Sequence, residues 1–577
     1  MANHRTTYLL VLLIFHSIFL ESRACHPTDR EALLDFKRRI TADPSKLLES
    51  WIPDKDCCTR WAGIACDTST GRVLNLTCPG RDWDSETGPI DTSMSGTLSP
   101  FIGNISSLQV LDLGNLKELK GRIPFELGKL ALLVFGLKWN HLTGPIPQNL
   151  FNRLTSLSEV SLEWNMLSGP IPASIGKLVE LRYLNLNNNK LSGRVPESIG
   201  RLQNLQTLDM SENQLSGPIP NSIGNLSNLT KFNLGYNRLS GSIPPSIGNM
   251  KSLKSLGLSD NALSGPIPNS IGKLQRVKSV YMKNNNLRGN IPTSIGDMTL
   301  LEEIHLSNNS FTGKIPATLS RLDNLLDLDL SKNGLSGPIP PIRKLNYLDL
   351  SSNPLSLRAI PPWLQQLPLV TLNLSQTGLV GQLPEWLSSS TLSSLDLSAN
   401  SLTGELPAWI GNITRLSFFS LSRNQFNSSF LPQIRNLSKL FHLDLSHNNF
   451  SGGIGEFGTM ASLSHLILSH NPLRGKIPES LGKLGYLYAL ELQGNGLSGE
   501  IPKELAEANN LRIVKLSENG LSGEIPEGIL NIELLKEFDV SRNRLSGKIP
   551  HHKIKLPASS FAGNPGLCGD PLAPCKN

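Results

Sequence analysis

Leucines recur along the chain at a regular spacing, separated by polar residues, glycine and proline. From Asn140 onward the sequence repeats the pattern L-x-x-L-x-L-x-x-N-x-L-S-G-x-I-P-x-x-x-G-x-L, with a dominant step of 24 residues. In the L-x-L part the period is two, so both leucines point to one side of a short strand and their neighbours to the other. The pattern therefore predicts one short strand per repeat.

The asparagine of the pattern stands at the predicted end of each strand, where its amide can hydrogen-bond backbone groups that would otherwise be buried without partners. Less regular copies around Leu74–Leu76 and Leu108–Leu113 bring the total to about twenty repeats. The slot is occupied by Asn140, Asn165, Asn189, Asn213, Asn237, Asn261, Asn285, Asn309, Asn333, Asn353, Thr377, Asn400, Asn424, Asn448, Asn471, Asn495, Asn519 and Asn543.

No single repeat can bury its leucines, but stacked repeats share one continuous core. Glycine in L-S-G suits a sharp bend, and proline in I-P ends strand pairing on the flank. A chain of 577 residues would otherwise suggest three or four globular domains of about 150 residues each. The repeat instead predicts a single solenoid of the α/β type.

The two ends of the predicted solenoid carry sequences that differ from the repeat. Near the start, Asp29 or Thr28 can cap a helix over Asp29–Lys37. At the far end, Phe561–Asp570 closes the last repeat before Cys575. The apolar lid predicted for the first repeat consists of Leu33, Leu34, Phe36, Trp51 and Trp61.

The segment Met1–Ala24 has the features of a signal peptide. A short polar and basic start leads into the apolar run Tyr8–Leu20, and small residues stand near the end of the segment. The alternative is an uncleaved membrane anchor, but a run of 13 residues is too short to cross a bilayer. No later stretch approaches 18 apolar residues, and no hydrophobic tail precedes Asn577. We expect a secreted product without membrane insertion.

Charge changes this picture little. The formal net charge is +7, and the basic residues are spread along the chain rather than clustered as in a nucleic-acid binder. The charge supports only a weak attraction to polyanionic surroundings such as pectin. We therefore expect no nucleic-acid partner.

The seven cysteines lie only at the two ends of the chain. They are Cys25, Cys57, Cys58, Cys66, Cys78, Cys568 and Cys575. In an oxidising compartment this distribution favours disulfides on the terminal caps. A zinc site is the alternative, but the chain has no paired C-x-x-C spacing. We expect no metal.

Several segments together resemble plant extracellular leucine-rich-repeat proteins. They are the D-x-x-A-L-L-x-F-K segment from Asp29, the Asp56-Cys57-Cys58 and Trp61–Cys66 stretches, the L-S-G-x-I-P repeats and the N-P-G-L-C-G sequence from Asn564. That family includes receptor kinases, receptor-like proteins and secreted polygalacturonase inhibitors. The resemblance covers nearly the whole chain after the signal peptide.

The resemblance implies a right-handed superhelix with a concave parallel sheet, and a second small sheet around the L-S-G-x-I-P strands. It also implies the pairs Cys25–Cys57, Cys58–Cys66 and Cys568–Cys575, whereas Cys78 has no counterpart in the family's cap pattern. The chain departs from the receptors in showing no transmembrane helix, kinase domain or island insertion, and it has about twice the repeats of the inhibitors.

The chain is then divided into four segments. Residues 1–24 form the signal peptide, residues 25–72 the N-terminal cysteine cap, residues 73–556 the repeats, and residues 557–577 the C-terminal cysteine cap.

Patterns that suggest catalysis have simpler explanations. Two G-x-G-x-x-G stretches, from Gly453 and Gly494, fall inside repeat turns, and G-x-S-x-G, H-E-x-x-H and P-loop patterns are absent. Aspartates recur on the predicted strands, but adjacent copies lie about 5 Å apart along an open sheet rather than across a cleft. They are Asp209, Asp329, Asp349, Asp396, Asp444 and Asp539. We expect no enzyme activity and no cofactor.

The variable positions beside the strand leucines should face solvent on the concave sheet and contact any ligand. Most late repeats carry L-D-L-S there, whereas repeats three to ten carry large aromatics, which anchor many interfaces. Drift at unconstrained positions is the alternative. The candidate ligand-binding residues are Lys138, Trp139, Glu163, Trp164, Tyr183, Tyr236, Tyr281 and His305.

Ten N-x-S/T sequons predict glycosylation, with Asn373 on the concave sheet and Asn308 at its edge. They are Asn75, Asn104, Asn225, Asn228, Asn308, Asn373, Asn412, Asn427, Asn436 and Asn449. Two histidine pairs, His442 with His465 and His447 with His470, suggest a pH sensor or metal site, or a tolerated variant of the repeat.

These features predict a secreted recognition protein of the plant cell wall space, acting in defence or development. It would bind a peptide, glycan fragment or protein, alone or beside a membrane-bound receptor kinase. The first alternative is an inhibitor of microbial wall-degrading enzymes, favoured by secretion and basic charge but disfavoured by length. The second is a structural wall protein, which would lack a differentiated concave face.

Overall fold

Two units make up the chain in the computed structural model, residues 1–286 (the N-terminal unit) and residues 287–577 (the C-terminal unit). The structure describes residues 24–80, 83–84, 88–89, 91–429, 432–457 and 459–575. The predicted signal peptide therefore lies outside the described residues, apart from Ala24.

Each unit carries a main sheet made of one three-residue strand per repeat, as the L-x-L pattern predicts. In the N-terminal unit, Ile64–Cys66 and Val73–Thr77 pair antiparallel, and every later strand pairs in parallel with the one before it. The parallel strands after Val73–Thr77 are Val110–Asp112, Val134–Gly136, Glu159–Ser161, Tyr183–Asn185, Thr207–Asp209, Lys231–Asn233, Ser255–Gly257 and Ser279–Tyr281.

The main sheet of the C-terminal unit is parallel throughout. Its strands are Glu303–His305, Asp327–Asp329, Tyr347–Asp349, Thr371–Asn373, Ser394–Asp396, Phe418–Ser420, His442–Asp444, His465–Ile467, Ala489–Glu491, Ile513–Lys515 and Glu537–Asp539.

The middle residue of each strand and the leucine two positions later form the core. Leu184 pairs with Leu208 and Leu208 with Phe232 across neighbouring strands, and all three side chains are buried. Because each apolar side chain contributes roughly 1.5–3 kcal/mol when it is buried, the stack gains stability with every added repeat.

A flanking sheet forms where the L-S-G segments of neighbouring repeats pair. In the N-terminal unit its strands are Ile40–Ala42, Ser95–Thr97, Leu119–Gly121, His141–Pro145, Met166–Pro170, Lys190–Gly193, Gln214–Gly217, Arg238–Gly241 and Ala262–Gly265. Further on, the flanking strands are Asn286–Asn290, Ser310–Lys314, Gly334–Ser336, Val380–Gly381, Ser401–Gly404, Gln425–Phe426, Ser498–Gly499, Gly520–Gly523, Arg544–Lys548 and Gly566–Cys568. A separate pair consists of Trp83–Asp84 and Gly88–Pro89.

Short helical turns follow the I-P dipeptides and return the chain to the next strand. The 3-10 helices are Pro100–Asn104, Phe125–Lys129, Leu150–Asn152, Ala173–Lys177, Glu197–Arg201, Asn221–Asn225, Pro245–Asn249, Asn269–Lys273, Thr293–Asp297, Ala317–Arg321, Pro362–Gln366, Glu385–Ser389, Ala408–Asn412, Pro432–Asn436, Glu479–Lys483, Lys503–Glu507 and Ala558–Ser560. The α-helices are Pro27–Arg38, Cys57–Arg60 and Glu527–Leu530.

The asparagine slot forms a ladder of buried amides. Asn165 Nδ2 donates to the carbonyl oxygens of Leu137 (2.9 Å), Leu162 (3.2 Å) and Glu163 (3.3 Å), while its Oδ1 accepts from Leu142 N at 3.0 Å. Each amide therefore joins its own repeat to the preceding one and satisfies backbone groups that the core shields from water. The same arrangement recurs at Asn213.

The two positions that depart from the regular asparagine pattern, Thr377 and Asn564, also form hydrogen bonds with buried backbone groups. At Thr377 the hydroxyl donates to Leu374 O, and Asn400 Oδ1 accepts from the backbone N–H of Thr377, Gly378 and Leu379. Beyond the last repeat, Asn564 Nδ2 donates to Val540 O and its Oδ1 accepts from Leu545 N. The C-terminal cap thus ends the ladder with the same amide chemistry.

The helix of the N-terminal cap begins earlier than the sequence predicts. It spans Pro27–Arg38 with His26 at its N-cap, so the prediction that Asp29 or Thr28 caps it is wrong. Proline at the first helical position starts the helix, since its missing N–H needs no partner there. Asp29 is instead fully buried, where it accepts from Arg72 Nη2 at 2.7 Å and from Val73 N at 2.9 Å.

The predicted apolar lid forms, except that Leu34 is half-exposed. Trp51 is fully buried between Phe36 (6.2 Å between ring centroids) and Trp61 (5.3 Å). Its indole N–H donates to Ala62 O at 2.9 Å, so the buried polar group of this large side chain has a partner.

Three disulfides join the pairs that the resemblance implies, Cys25–Cys57, Cys58–Cys66 and Cys568–Cys575. Cys78 is a buried free thiol, and burial raises its pKa to about 12. Among the described residues, the only cluster with metal-ligand spacing is Cys25, Cys57 and Cys58, and all three of these sulfurs belong to disulfides.

We expect the asparagine ladder to be a strong determinant of stability. Asn165→Ala leaves Leu142 N and two to three carbonyls without partners, so the unfolding free energy should fall by roughly 2–4 kcal/mol. Asn204→Ala is the matched control, because Asn204 makes one exposed hydrogen bond, to Val179 O at 3.0 Å. Urea unfolding measures both; equal losses for the two variants would contradict the ladder's role.

We also expect the N-terminal disulfides to hold the first repeats. Cys25–Cys57 closes a 32-residue separation, which should contribute roughly 3–4 kcal/mol by loop entropy. After reduction, hydrogen exchange should therefore rise first in residues 64–77 and 110–112, since a solenoid frays from an uncapped end. Earlier opening of residues 183–209 would show that the cap does not limit fraying.

Candidate functional site

The outward side of the main sheet presents several rows of side chains. The first and third residues of each strand face outward, and so does the residue that follows the second leucine. The residue just before the slot asparagine has a left-handed backbone, as at Trp139 (φ 54°), Trp164 (φ 55°) and Tyr236 (φ 54°). We call the side chains at this left-handed position the edge row.

Trp139 and Trp164 form a stacked pair on the edge row. Their ring centroids lie 4.2 Å apart with an interplanar angle of 7°, and the side chains are 45% and 40% exposed. Lys138, beside Trp139, is also exposed. Large apolar rings left in water on a rigid scaffold mark interaction sites more often than chance exposure does.

The expectation that Glu163 faces solvent beside Trp164 is wrong, because Glu163 is only 6% exposed. Its role as a ligand-binding residue stays a prediction. Burial raises the pKa of its carboxyl, and Lys138 offsets this in part. Lys138 precedes Trp139 in the same way but is exposed, so the repeat position alone does not decide burial here.

The predicted tyrosines occupy two different rows. Tyr236 lies on the edge row and is 53% exposed. Tyr183 and Tyr281 are the first and third residues of their strands and are half-buried. The predicted aromatic residues of the N-terminal unit therefore divide between the edge row and the strand positions.

A cavity of about 340 Å³ lies beside Tyr236, and we call it the Tyr236 cavity. It is lined by Ser211, Glu212, Lys231, Asn233, Gly235, Tyr236, Ser255, Gly257, Ser259, Tyr281 and Lys283. A Cβ on Gly257 would lie 2.5 Å from Asn233 Oδ1, so glycine at this position allows the Asn233 side chain to approach the neighbouring strand closely. The leucine pattern did not predict this cavity.

His305 lies in the C-terminal unit as the third residue of Glu303–His305 and is half-buried. In the same unit, the strand aspartates serve the scaffold. Asp329 and Asp444 each accept from the N–H and hydroxyl of the serine two residues later, at 2.7–3.0 Å. These hydrogen bonds explain the recurring L-D-L-S segment without any catalytic role.

A second aromatic group lies on the main sheet of the C-terminal unit. Phe418 stacks on His442 (4.5 Å between centroids), His442 lies 5.4 Å from His465, and His465 stacks on Tyr488 at 5.1 Å. Arg512 lies 5.2 Å from the Tyr488 ring centroid. We call these five residues the histidine stack. The sequence revealed the two histidines by register but not the residues on either side of them.

The stack shifts the titration of its histidines. Burial, with a smaller contribution from His465, lowers the pKa of His442, while Asp444 and Asp396 oppose the shift. Burial likewise lowers the pKa of His465 against the opposing charge of Glu491. At the sheet's edge, His447 and His470 also stack, with centroids 4.3 Å apart.

The predicted glycosylation sites fall into three environments. Asn308 is exposed on the edge row, whereas Asn75 and Asn373 are half-buried on main-sheet strands. Asn373 Nδ2 donates to Asp349 Oδ2 at 3.1 Å, so a glycan there would displace this hydrogen bond. The remaining sequons are exposed: Asn104, Asn225, Asn228, Asn412, Asn427, Asn436 and Asn449.

The stacked strands, amide ladder and capped ends define a leucine-rich-repeat solenoid. The chain belongs to the leucine-rich-repeat family. The family model for the leucine-rich repeat region matches residues 165–264 and 232–454. The leucine rich repeat N-terminal domain matches residues 26–67, and further repeats match residues 462–484 and 510–532.

Plant proteins are similar to this chain over short segments. The DNA damage-repair/toleration protein DRT100 of Arabidopsis thaliana is 35% identical over 126 residues, which is 22% of this chain and 34% of that protein. A polygalacturonase inhibitor of Vitis vinifera is 33% identical over 135 residues, 23% of this chain and 36% of the inhibitor. The aligned segments thus span about a third of the length of these relatives.

Solved plant ectodomains are similar over most of the chain. One is the ectodomain of the Arabidopsis thaliana receptor kinase GASSHO1/SCHENGEN3 in complex with CASPARIAN STRIP INTEGRITY FACTOR 2. It has a TM-score of 0.80 and 32% identity over 90% of this chain and 65% of that chain. Another is the Arabidopsis receptor kinase HAESA with the peptide hormone IDA and the co-receptor SERK1. It has a TM-score of 0.72 and 30% identity over 95% of this chain and 99% of that chain.

The two solved structures are of receptor kinases, one with an integrity factor and one with a peptide hormone and a co-receptor, and the Vitis vinifera relative is a polygalacturonase inhibitor. Within the part of the chain that the structure describes, no helix has both the length and the hydropathy of a membrane span.

We expect acid to loosen the histidine stack. The folded-state pKa values of His442 and His465 lie below the unfolded value of about 6.5, so the unfolded chain binds more protons below that pH. Their neutral rings stabilise the fold above about pH 6.5, and this stability is lost as the pH falls through the folded pKa values. Hydrogen exchange of residues 418–420, 442–444 and 465–467, corrected for intrinsic rates, should therefore rise between pH 7 and pH 5.

The double variant His442→Phe with His465→Phe keeps the stacked rings and removes both titrating groups. Its exchange in these strands should vary less with pH than that of the wild type. If both proteins respond equally to acid, the pH dependence comes from other groups.

Proposed function

We propose that this protein is a secreted recognition protein of the plant cell wall space that binds a peptide or protein ligand on the main sheet of its N-terminal unit. The observation that carries the proposal is the stacked pair of Trp139 and Trp164 on the edge row, which are 45% and 40% exposed. Adjacent large aromatics left this exposed on a rigid sheet are typical of interaction sites.

The similar structures support a peptide ligand. HAESA is described with a peptide hormone and a co-receptor, and GASSHO1/SCHENGEN3 with an integrity factor. Both resemble this chain at 30% identity or more across at least 90% of its length. We extend from them a ligand-binding role to this chain and place it on the main sheet. The protein would act alone or beside a membrane-bound receptor kinase. A glycan fragment is the less favoured ligand.

We propose binding without catalysis. Asp209, Asp329 and Asp444, the groups that could act as acids or bases, each hold their own serine hydroxyl at 2.6–2.7 Å. Asp209 is also neutralised by Lys231 at 2.9 Å. Secretion to the wall space rests on the predicted signal peptide of Met1–Ala24 and on the three disulfides, which persist in oxidising compartments.

Inhibition of a microbial polygalacturonase is the second candidate function. It is favoured by the similarity to the Vitis vinifera inhibitor and by the net charge of +7. The two functions separate in one assay, because only an inhibitor lowers the rate of pectin hydrolysis when it is added to a fungal polygalacturonase.

We expect the tryptophan pair to anchor the ligand. Trp139→Ala and Trp164→Ala should each weaken capture of wall-extract peptides by about 1–3 kcal/mol without a change in melting temperature, because edge-row side chains contribute little to the core. Affinity is measured on the purified full chain with the captured peptide. Arg423→Ala is the matched control, since Arg423 is exposed and has the same left-handed backbone (φ 55°).

A glycan provides a second, steric arm of this experiment. Lys231→Asn combined with Asn233→Thr creates a sequon on a strand beside Tyr236. Occupancy, verified by mass spectrometry, should abolish capture because a bulky glycan excludes a partner however the binding energy is shared. Unchanged capture by the glycosylated protein, or equal losses in the Trp139 and Arg423 variants, would exclude this surface as the site.

A further inference from the structure

The polar groups that line the Tyr236 cavity differ in whether they already have partners. Lys231 Nζ lies 2.9 Å from Asp209 Oδ2, and Asp209 is buried. Glu212 accepts from Asn188 Nδ2 at 2.8 Å and lies exposed on the edge row. Their charges are therefore engaged within the protein.

Two lining groups have no such partner. Lys283 is half-buried, and its ammonium forms no ion pair with any residue that the structure describes. Ser259 is only 6% exposed, and its hydroxyl has no hydrogen-bond partner among the described residues. A buried hydroxyl without a partner destabilises the folded state, and a bound acceptor would remove this cost.

The Lys283 ammonium and the Ser259 hydroxyl are both hydrogen-bond donors on the wall of one cavity, so they share a preference for an oxygen acceptor. A carboxylate accepts from both and gains a charge-assisted hydrogen bond from the ammonium. Asp260, the neighbour of Ser259, accepts from Asn284 Nδ2 at 2.6 Å and does not line the cavity. The rings of Tyr236 and Tyr281 provide apolar walls for the methylene groups of such a side chain.

We propose that the Tyr236 cavity binds the carboxylate of an aspartate or glutamate side chain in the ligand, with Lys283 and Ser259 as its donors. This assignment rests on the proposed peptide-binding function and adds to it the chemistry of one ligand residue. The Tyr236 cavity has a volume of about 340 Å³, which leaves room for such a side chain.

The spacing from the tryptophan pair sets where the acid lies in the ligand. Ser259 and Lys283 lie four and five repeats beyond the repeat of Trp164, directly before Asp260 and Asn284 of the edge row. At about 4.8 Å per parallel strand this is roughly 19–24 Å, which an extended peptide spans with about six residues. The ligand should therefore carry an acidic residue about six positions from an apolar residue that contacts the tryptophans.

A displayed library of random twelve-residue peptides tests this on the full glycosylated chain. Peptides selected on the wild type should share an apolar residue with an acid about six positions away. Selection on Lys283→Glu should lose the acidic preference, while Lys273→Glu, which reverses an exposed lysine on a helical turn outside the cavity, should keep it.

Affinities of the best synthetic peptide complete the test. Lys283→Ala should weaken binding at least tenfold, and replacing the peptide's acid with its amide should weaken binding to the wild type equally. The two changes together should cost little more than either alone, because they remove the same interaction. Ser259→Ala should cost a smaller factor, and Lys273→Ala should stay within twofold.

Selected peptides without an acidic preference, or additive losses in the double change, would overturn the carboxylate assignment while leaving peptide binding intact. Failure to select any peptide would overturn both the assignment and the proposed function. If oligogalacturonate binds with Lys283 dependence while no peptide is selected, the carboxylate belongs to a glycan and the peptide assignment is wrong.

Discussion

The buried asparagine amide is the interaction on which every repeat depends. An amide carries both donors and an acceptor, so one side chain can serve carbonyls at the end of its own strand and an N–H of the preceding repeat, as Asn165 does. No apolar side chain could fill this slot, because the strand ends inside the core and its backbone groups would remain unpaired. Leucine drives the repeats together, and asparagine determines where each strand must end.

That ending has a geometric consequence for the outer surface. The chain turns sharply before each amide, and the residue at the turn takes a left-handed backbone whatever its identity, from Asn188 and Glu212 to Trp164 and Tyr236. At Trp139, Trp164 and Tyr236 the residue at this position is 40–53% exposed. The residue before it varies, since Glu163 is buried and Lys138 is exposed. The scaffold therefore presents one projecting side chain per repeat, about 5 Å from the next.

The features that the sequence predicts correctly are those that a single periodicity determines. The strands, the core leucines and the role of the asparagines follow from spacing alone, and the disulfide pairs followed from the family resemblance. Prediction from the sequence failed where tertiary contacts decide. The first helix begins at Pro27, and Asp29, which the sequence offers as a cap, pairs instead with Arg72, a residue 43 positions away. The Tyr236 cavity was not predicted because residues of several repeats, from Ser211 to Lys283, line it together.

The edge row also shows why its aromatics carry functional information. A left-handed backbone is uncommon for residues other than glycine, asparagine and aspartate, and it costs a bulky side chain on the order of 1 kcal/mol. Elsewhere in the same row the position holds Asn188 and Asp260 but also Lys332 and Arg423, so every repeat bears this conformation and it does not select the residue type. What sets positions 139 and 164 apart is the exposure of two adjacent large rings, 45% and 40%. This exposure is the feature that the proposed ligand contact would explain, because ring surface left in water adds nothing to the core.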